Sequence, residues 1–342
     1  MSKMKLLIWG AGAIGGTIGA YFVRAGHGVT FVDVAKEHVN TINAQGLYIE
    51  GPIDTFNIKA RAFLPGNLKG TWQTVLLCTK GHHTEEATNA LKPFLSENGY
   101  VVSVQNGLNE HLIAKMLGAE KTVGSFVNFG ADYLEPGLIH YAGRGAVVLG
   151  ELDGAKTKRL EALHKLFLNF DDRAIITPNI WGYLWGKMGY GALLYATAVT
   201  NESIADALDR SEFTALFTAI GKEVLAVAQS LGIRSEGFNG FDPNAFMSRA
   251  SPKLAKASLY MMVAFNQKSA KSHSGIWRDL AIRKRKTEVD AHLGMIATIA
   301  KEQGLATPLL NALINQIHEI EEGKRNLSTE NLRALEGLRR TL

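Results

Sequence analysis

The chain is poor in the residues that staple or stiffen small folds. Cys78 is the single cysteine among 342 residues, which excludes an internal disulfide and a cysteine-based zinc module and fits a reducing compartment. Only 8 prolines accompany 35 glycines, and the glycines have no three-residue period, so collagen-like and low-complexity readings fail. Charged residues make up 20%, too few for a disordered chain beside 46% hydrophobic residues. A balance of 37 basic against 32 acidic residues leaves +5, a surplus that favours anions in general but does not imply nucleic acid. A long uninterrupted apolar run is missing too. Leu6–Val23 carries no charge over 18 residues, yet five glycines interrupt it, and Arg24 and a second strand-like segment, VTFVDV, follow. This speaks against a signal peptide or membrane span and for a cytoplasmic protein.

What remains is a glycine-rich, ordinarily hydrophobic chain of roughly two domains' length. Its first third alternates short β-branched runs with helical patterns, which predicts βαβ units and a parallel sheet. Strands are expected at Lys5–Trp9, Val29–Val32, Thr74–Cys78, Tyr100–Val104 and Lys121–Phe126, with helices between them such as Ile14–Ala25 and Thr84–Leu95. Residues 128–150 read as added antiparallel strands and Lys156–Asn169 as an amphipathic helix. A short extended piece then leads to Pro178, after which the pattern becomes almost wholly helical: about 180–200, 211–232, 251–268, 276–304 and 306–322. The expected architecture is an α/β Rossmann-type dinucleotide-binding domain (1–178) followed by an all-α domain (179–342), with a cleft between them.

GAGAIG, Gly10 to Gly15, fits G-x-G-x-x-G, with a strand before it and an apolar helical run after it. In this motif Gly10 permits the tight turn, Gly12 lets backbone approach a pyrophosphate, and Gly15 permits close helix–sheet packing. The N–H groups at Gly12, Ala13 and Ile14 then meet the phosphates at the helix start. Asp33 ends the second strand 18 residues beyond Gly15. An acidic residue there accepts hydrogen bonds from the adenosine ribose and repels a 2′-phosphate, so NAD is preferred over NADP. Lys36 nearby keeps NADP as the alternative.

Further segments form an ordered set. CTKG puts Lys80 at the end of one strand, and VQNG puts Asn106 and Gly107 at the end of the next. EPG at 135–137 leads to His140, LWGKMG places Lys187 early in the first helix of the second half, and KTEVD places Glu288 on a long helix. With GAGAIG, this set resembles the ketopantoate reductase (2-dehydropantoate 2-reductase) family over essentially the whole chain. The resemblance implies that Lys80 and Asn106 line the nicotinamide and substrate site. It implies that Lys187 is general acid to a carbonyl oxygen, and that Glu288 helps hold substrate and lysine. The chemistry is coherent, because hydride arriving at a carbonyl carbon leaves negative charge on oxygen that an ammonium stabilises and protonates. Two family asparagines, four and eight residues past the lysine, are replaced by Gly191 and Tyr195, which share its helix face at that spacing. A serine-rich stretch reads HSGIWRD here, with Ser274 near the expected place, and the DLAIRKRKTE spacing is one residue longer than the pattern.

The expected activity is therefore nicotinamide-dependent interconversion of a small, anionic 2-oxo acid and its 2-hydroxy acid, or a similar carbonyl–alcohol pair. True NADPH-dependent ketopantoate reduction and a dinucleotide-binding sensor without turnover are the alternatives. Gly186, Gly189 and Gly191 suggest close approach to the Lys187 helix by a ligand or another backbone. Arg283–Lys286 reads as a solvated helix face without interleaved aromatics, not a nucleic-acid patch. His82-His83 with Glu85-Glu86 lacks any further ligand spacing, so no metal is expected. Cys78 reads as a small buried residue within a strand, and Arg278 as a speculative substrate contact. The helical half could pair with a copy of itself, although no sequence signal requires it.

Overall fold

A computed structural model describes residues 3–268 and 272–342. The chain divides into two compact units, Met1–Ile180 and Trp181–Leu342.

The first unit is a ten-stranded sheet with helices. Its strands are β1 (Lys5–Trp9), β2 (Gly28–Val32), β3 (Leu47–Glu50), β4 (Phe56–Ile58), β5 (Arg61–Phe63), β6 (Trp72–Leu77), β7 (Leu95–Ser103), β8 (Thr122–Glu135), β9 (Leu138–Glu151) and β10 (Ile175–Ile176). Helices α1 (Ala13–Arg24), α2 (Lys36–Gln45), α3 (Thr84–Leu91), α4 (Asn109–Leu117) and α5 (Lys158–Phe167) connect them. The strand order is β4-β3-β9-β8-β7-β6-β1-β2-β5, with β10 beside β9. From β5 through β1 to β8 every pairing is parallel, and the order reverses beside β1, the arrangement that opens a ligand crevice at strand carboxyl ends.

The apolar run of β1 follows from burial on both faces. Leu6 and Ile8 enter one core with Ile18 and Phe22 of α1 and Leu163 of α5, whereas Leu7 and Trp9 enter a second with Ala87, Leu91 and Ile113 of α3 and α4. The expected strand at Lys121–Phe126 runs on without a break into the first of the antiparallel strands expected behind it. β8 starts in parallel with β7 and continues as one arm of a long hairpin with β9. The apolar stretch that mimicked a membrane span is split between β1, the glycine turn and α1. Among the described residues no helix is long and apolar enough to cross a membrane.

The second unit is helical: α6 (Ile180–Ala198), α7 (Ile204–Asp209), α8 (Thr214–Ser230), α9 (Pro252–Gln267), α10 (Gly275–Trp277), α11 (Met295–Glu302), α12 (Pro308–Glu321) and α13 (Thr329–Arg339). The helix expected over 276–304 does not run through. A π-helical turn at Arg278–Ile282 gives way to a non-helical segment, and a second π-helical turn at Asp290–Gly294 leads into α11. Lys284 is left-handed there (φ 50°). The buried Asp279 carboxylate holds the break by accepting from Arg283 and Arg285, both at 2.9 Å. The run Arg283–Lys286 is thus an exposed loop, not a helix face. The local composition is helical, but two arginines converging on one buried carboxylate outweigh that propensity.

Candidate active site

The glycine turn leaves β1 beside the exit of β6. Gly10 has φ +97°, and a Cβ there would lie 3.0 Å from the backbone of Cys78 and Thr79, so only glycine fits. A Cβ on Gly15 would lie 2.1 Å from the Gly10 carbonyl, which is how α1 settles onto the sheet. Gly12 is the opposite case: nothing lies within 4 Å of its Cβ position. It caps α1 without a side-chain bond, and the first-turn N–H groups of Ala13 and Ile14 have no intrahelical partner. An open surface, orphan donors and the positive end of a helix dipole together fit a phosphate. Asp33 is built into the same turn. Its carboxylate accepts from the Ala11 N–H and the Ala35 N–H, both at 2.9 Å.

One supporting residue escaped the sequence reading. Buried His38, on α2, receives the Gly137 N–H on Nδ1 (2.9 Å), so its Nε2 carries the proton and donates it to the Ala11 carbonyl (2.9 Å). The EPG turn between β8 and β9 is thereby connected to the phosphate turn. The only sequence signal was a histidine on the apolar face of a helix, beside Val39 and Ile42, which by itself marks nothing but a core position.

Lys80 and Asn106 lie on adjacent strand-end loops that one polar network ties together. Buried Gln105 donates to the Thr79 carbonyl (3.0 Å) and to Thr84 Oγ1 (2.9 Å). Thr84 donates to Asn109 Oδ1 (2.9 Å), and Asn109 donates to the Asn106 carbonyl (2.7 Å). Lys80 is half-buried and Asn106 exposed. Sequence reasoning found both loop residues but not Gln105, Thr84 or Asn109 beneath them. Cys78 follows β6 rather than sitting inside it, and its N–H extends the pairing to the Trp9 carbonyl (2.8 Å). Cys78 is half-buried rather than fully buried, and desolvation pushes its thiol pKa up, which disfavours the reactive thiolate.

In the second unit, α6 is buried on nearly all sides. Its partly exposed positions include Tyr183, Lys187, Gly191 and Leu194, which form one row along the helix. The three glycines beside Lys187 have different reasons. A Cβ on Gly186 would meet the Glu236 carbonyl at 1.9 Å, and one on Gly189 would meet the Phe241 ring at 2.8 Å, whereas Gly191 faces open space. Two are packing requirements, and the third leaves a gap one turn from the lysine.

Tyr195 is buried, and its hydroxyl shares a hydrogen bond with His292 Nδ1 (3.0 Å). Burial raises its pKa well above the ordinary value, and Glu288, Glu321, Asp279 and Asp290 raise it further, so the phenol stays neutral. Glu288 stands just before the second π-helical turn, its carbonyl accepting from the His292 N–H (2.9 Å). Its place is fixed by Thr287, whose N–H and Oγ1 both donate to Glu321 (2.7 Å). The chain break leaves Glu288 close enough to Tyr195 of α6 to act on its phenol, and not on the long helix expected there. Ser274 is buried and its hydroxyl caps α10, accepting from the Trp277 N–H (3.1 Å). Among the described residues no group of three or more His, Cys, Asp or Glu is placed to hold a metal ion.

Two family descriptions match the chain in sequence order: "Ketopantoate reductase PanE/ApbA" over residues 6–154 and "Ketopantoate reductase PanE/ApbA C terminal" over 179–321. The chain belongs to the ketopantoate reductase family. It is an NAD(P)-dependent oxidoreductase of the class acting on CH–OH groups. The 2-dehydropantoate 2-reductase of Pyrococcus horikoshii is 27% identical over 90% of this chain and 94% of its own. A PanE/ApbA family ketopantoate reductase from Ralstonia eutropha has a similar structure (TM-score 0.78, 25% identity, 94% and 99% of the two chains covered). D-mandelate dehydrogenase, solved with NADH and anilino(oxo)acetate, shares the fold (TM-score 0.79, 21% identity, 94% and 99% covered).

Two predictions follow from the turn. Gly12→Ala, with open space around its Cβ, is expected to change thermal stability little yet weaken dinucleotide binding tenfold or more. Gly15→Ala is expected to cost about 1–3 kcal/mol of stability, because backbone must move; thermal melts and cofactor titrations compare the two. Separately, His38→Phe leaves the Gly137 N–H and Ala11 carbonyl without their partner and is expected to cost about 2–4 kcal/mol, read in a denaturant melt. An unchanged midpoint would show that the bridge does not brace the turn.

Proposed function

We propose that the protein interconverts a small 2-oxo acid and its 2-hydroxy acid, with Lys187 as the general acid–base group at the carbonyl or hydroxyl oxygen. The observation that carries this reading is the row on α6. A lysine on an otherwise apolar and largely buried helix stands at one of the few positions left partly uncovered, beside a glycine with open space above it. A desolvated ammonium aimed at a developing oxyanion is worth far more than one in water. Glu288 serves the same site by holding the substrate and orienting Lys187, with Lys80 and Asn106 binding the substrate and the nicotinamide end of the cofactor. Gly191 supplies room for the substrate's substituent. Tyr195 lies deeper, where it shapes the site through His292 rather than through a free hydroxyl.

The residues present fit a dinucleotide: Gly10, Gly12, Ala13, Ile14 and Gly15 would hold its pyrophosphate and Asp33 its adenosine ribose. When bound, the nicotinamide supplies or accepts the hydride. What supports NAD over NADP is Asp33, whose two backbone hydrogen bonds fix a carboxylate where a 2′-phosphate would otherwise lie. The NADH in the D-mandelate dehydrogenase complex agrees with this preference.

A second reading, reduction of ketopantoate itself, is favoured by the curated relatives bearing that name. A steady-state panel of 2-oxo acids with both cofactors separates the two. We expect other 2-oxo acids to outperform ketopantoate and NADH to match or exceed NADPH. Ketopantoate turnover equal to the best substrate would establish the narrower reading, and a more than tenfold preference for NADPH would overturn the role given to Asp33. Lys187→Ala is expected to lower kcat by about 10²–10⁴-fold with dinucleotide affinity unchanged. Hydride transfer at the wild-type rate in this variant would sink the assignment, and an absence of turnover with every substrate would favour the sensor alternative.

A further inference from the structure

The hairpin of β8 and β9 reaches the phosphate turn and brings an aromatic side chain with it. Its tip is fixed twice. The Gly137 N–H donates to His38 (2.9 Å), and the Gly137 carbonyl accepts from the Tyr48 N–H (2.8 Å). Tyr133, on β8 shortly before the tip, sets its ring edge-on against the His38 ring, with centroids 5.0 Å apart and planes at 76°. His38 in turn holds the Ala11 carbonyl, so Tyr133 is the outermost member of a chain of contacts that starts at the glycine turn. The hairpin does not cover it, and 38% of the residue is exposed.

Asp33 belongs to the same cluster. Its carboxylate accepts from the Ala11 N–H, and it stands close enough to Tyr133 for its charge to act on the phenol, as do Glu37 and Glu135. Partial burial and these three charges raise the phenol's pKa, so Tyr133 stays neutral beside a site for phosphate-bearing ligands. Val34 follows Asp33 directly and is 80% exposed, the most exposed of the large hydrophobics among the described residues. A single exposed valine or tyrosine needs no explanation. Here the two border one carboxylate, and apolar surface around a few fixed polar groups is the ordinary make-up of a small-molecule site.

We propose that Tyr133 and Val34 form an adenosine subsite, supplying the apolar surface against which the nucleoside end of the dinucleotide is held. The assignment rests on the dinucleotide reading above and extends it to the hairpin, which lies outside the βαβ core. It also gives the bracing of the hairpin tip a purpose. His38 fixes Tyr133 and the phosphate turn relative to each other, so nucleoside and pyrophosphate meet a surface that is already ordered. Tyr133 acts through its ring, which pays little conformational entropy when it binds.

Calorimetric titration of the intact protein with ADP-ribose and with inorganic pyrophosphate tests this without any turnover. The wild type is expected to bind ADP-ribose at least tenfold more tightly than pyrophosphate. Tyr133→Ala is expected to weaken ADP-ribose five- to twentyfold and to leave pyrophosphate within twofold. Tyr133→Phe, which keeps the ring, is expected to retain ADP-ribose affinity within threefold. Val34→Ser, at an exposed position that tolerates the change, is expected to weaken ADP-ribose two- to fivefold. ADP-ribose affinity that neither Tyr133→Ala nor Val34→Ser changes overturns the proposal. Equal weakening of both ligands by Tyr133→Ala overturns it too, because the side chain then only braces the turn. A wild type that binds neither ligand sinks the dinucleotide reading itself, which separates that failure from failure of the subsite.

Discussion

The peptide around Ala11 is held at both ends. Its N–H donates to Asp33 and its carbonyl accepts from His38, while Gly10 before it presses against the exit of β6. This clamp is what the first unit depends on. An anion site made of backbone N–H groups works only if those groups already point the right way, because ordering a loose glycine loop on binding would consume the interaction energy. The clamp supplies that order from three separate segments, the ends of β2 and β6 and the face of α2. Glycine's flexibility, a liability in the unfolded chain, is removed by contacts rather than by stiffer residues.

The second unit solves a related problem with a helix. Each glycine inside α6 costs about 1 kcal/mol in propensity. Close packing against Glu236 and Phe241 offsets two of them. The cost at Gly191 has no packing return inside the unit, and the same row holds Lys187. A local rule broken without structural compensation is where function is expected. Polar pairs support this region as well, Tyr195 with His292 and Thr287 with Glu321.

Much of this was legible in the residues. Strand, glycine turn, helix and second strand follow one another with local signals at every step. The motif spacing placed Lys80 and Asn106 on loops and Lys187 on a helix, because such positions depend on near neighbours in the chain. The break at 283–288 was not legible. Its sequence is compatible with helix, and what interrupts it is the convergence of Arg283 and Arg285 on Asp279 together with the grip of Glu321 on Thr287 from another helix. His38 and Gln105 were missed for the same reason, since each bridges segments far apart in sequence and neither stands in a recognisable pattern.

The division is therefore physical. Composition, periodicity and the ordered motifs determined that a parallel-sheet nucleotide fold precedes a helical half, and which residue types carry charge and flexibility at the strand ends. These are local properties of backbone and burial pattern. Tertiary structure alone decided which glycine is open and which is packed, how Ala11 is clamped, where the helix after α10 breaks before Glu288, and that Tyr133 comes to rest on His38. Each of those is settled by what a distant segment places within a few ångströms, a quantity no local spacing contains.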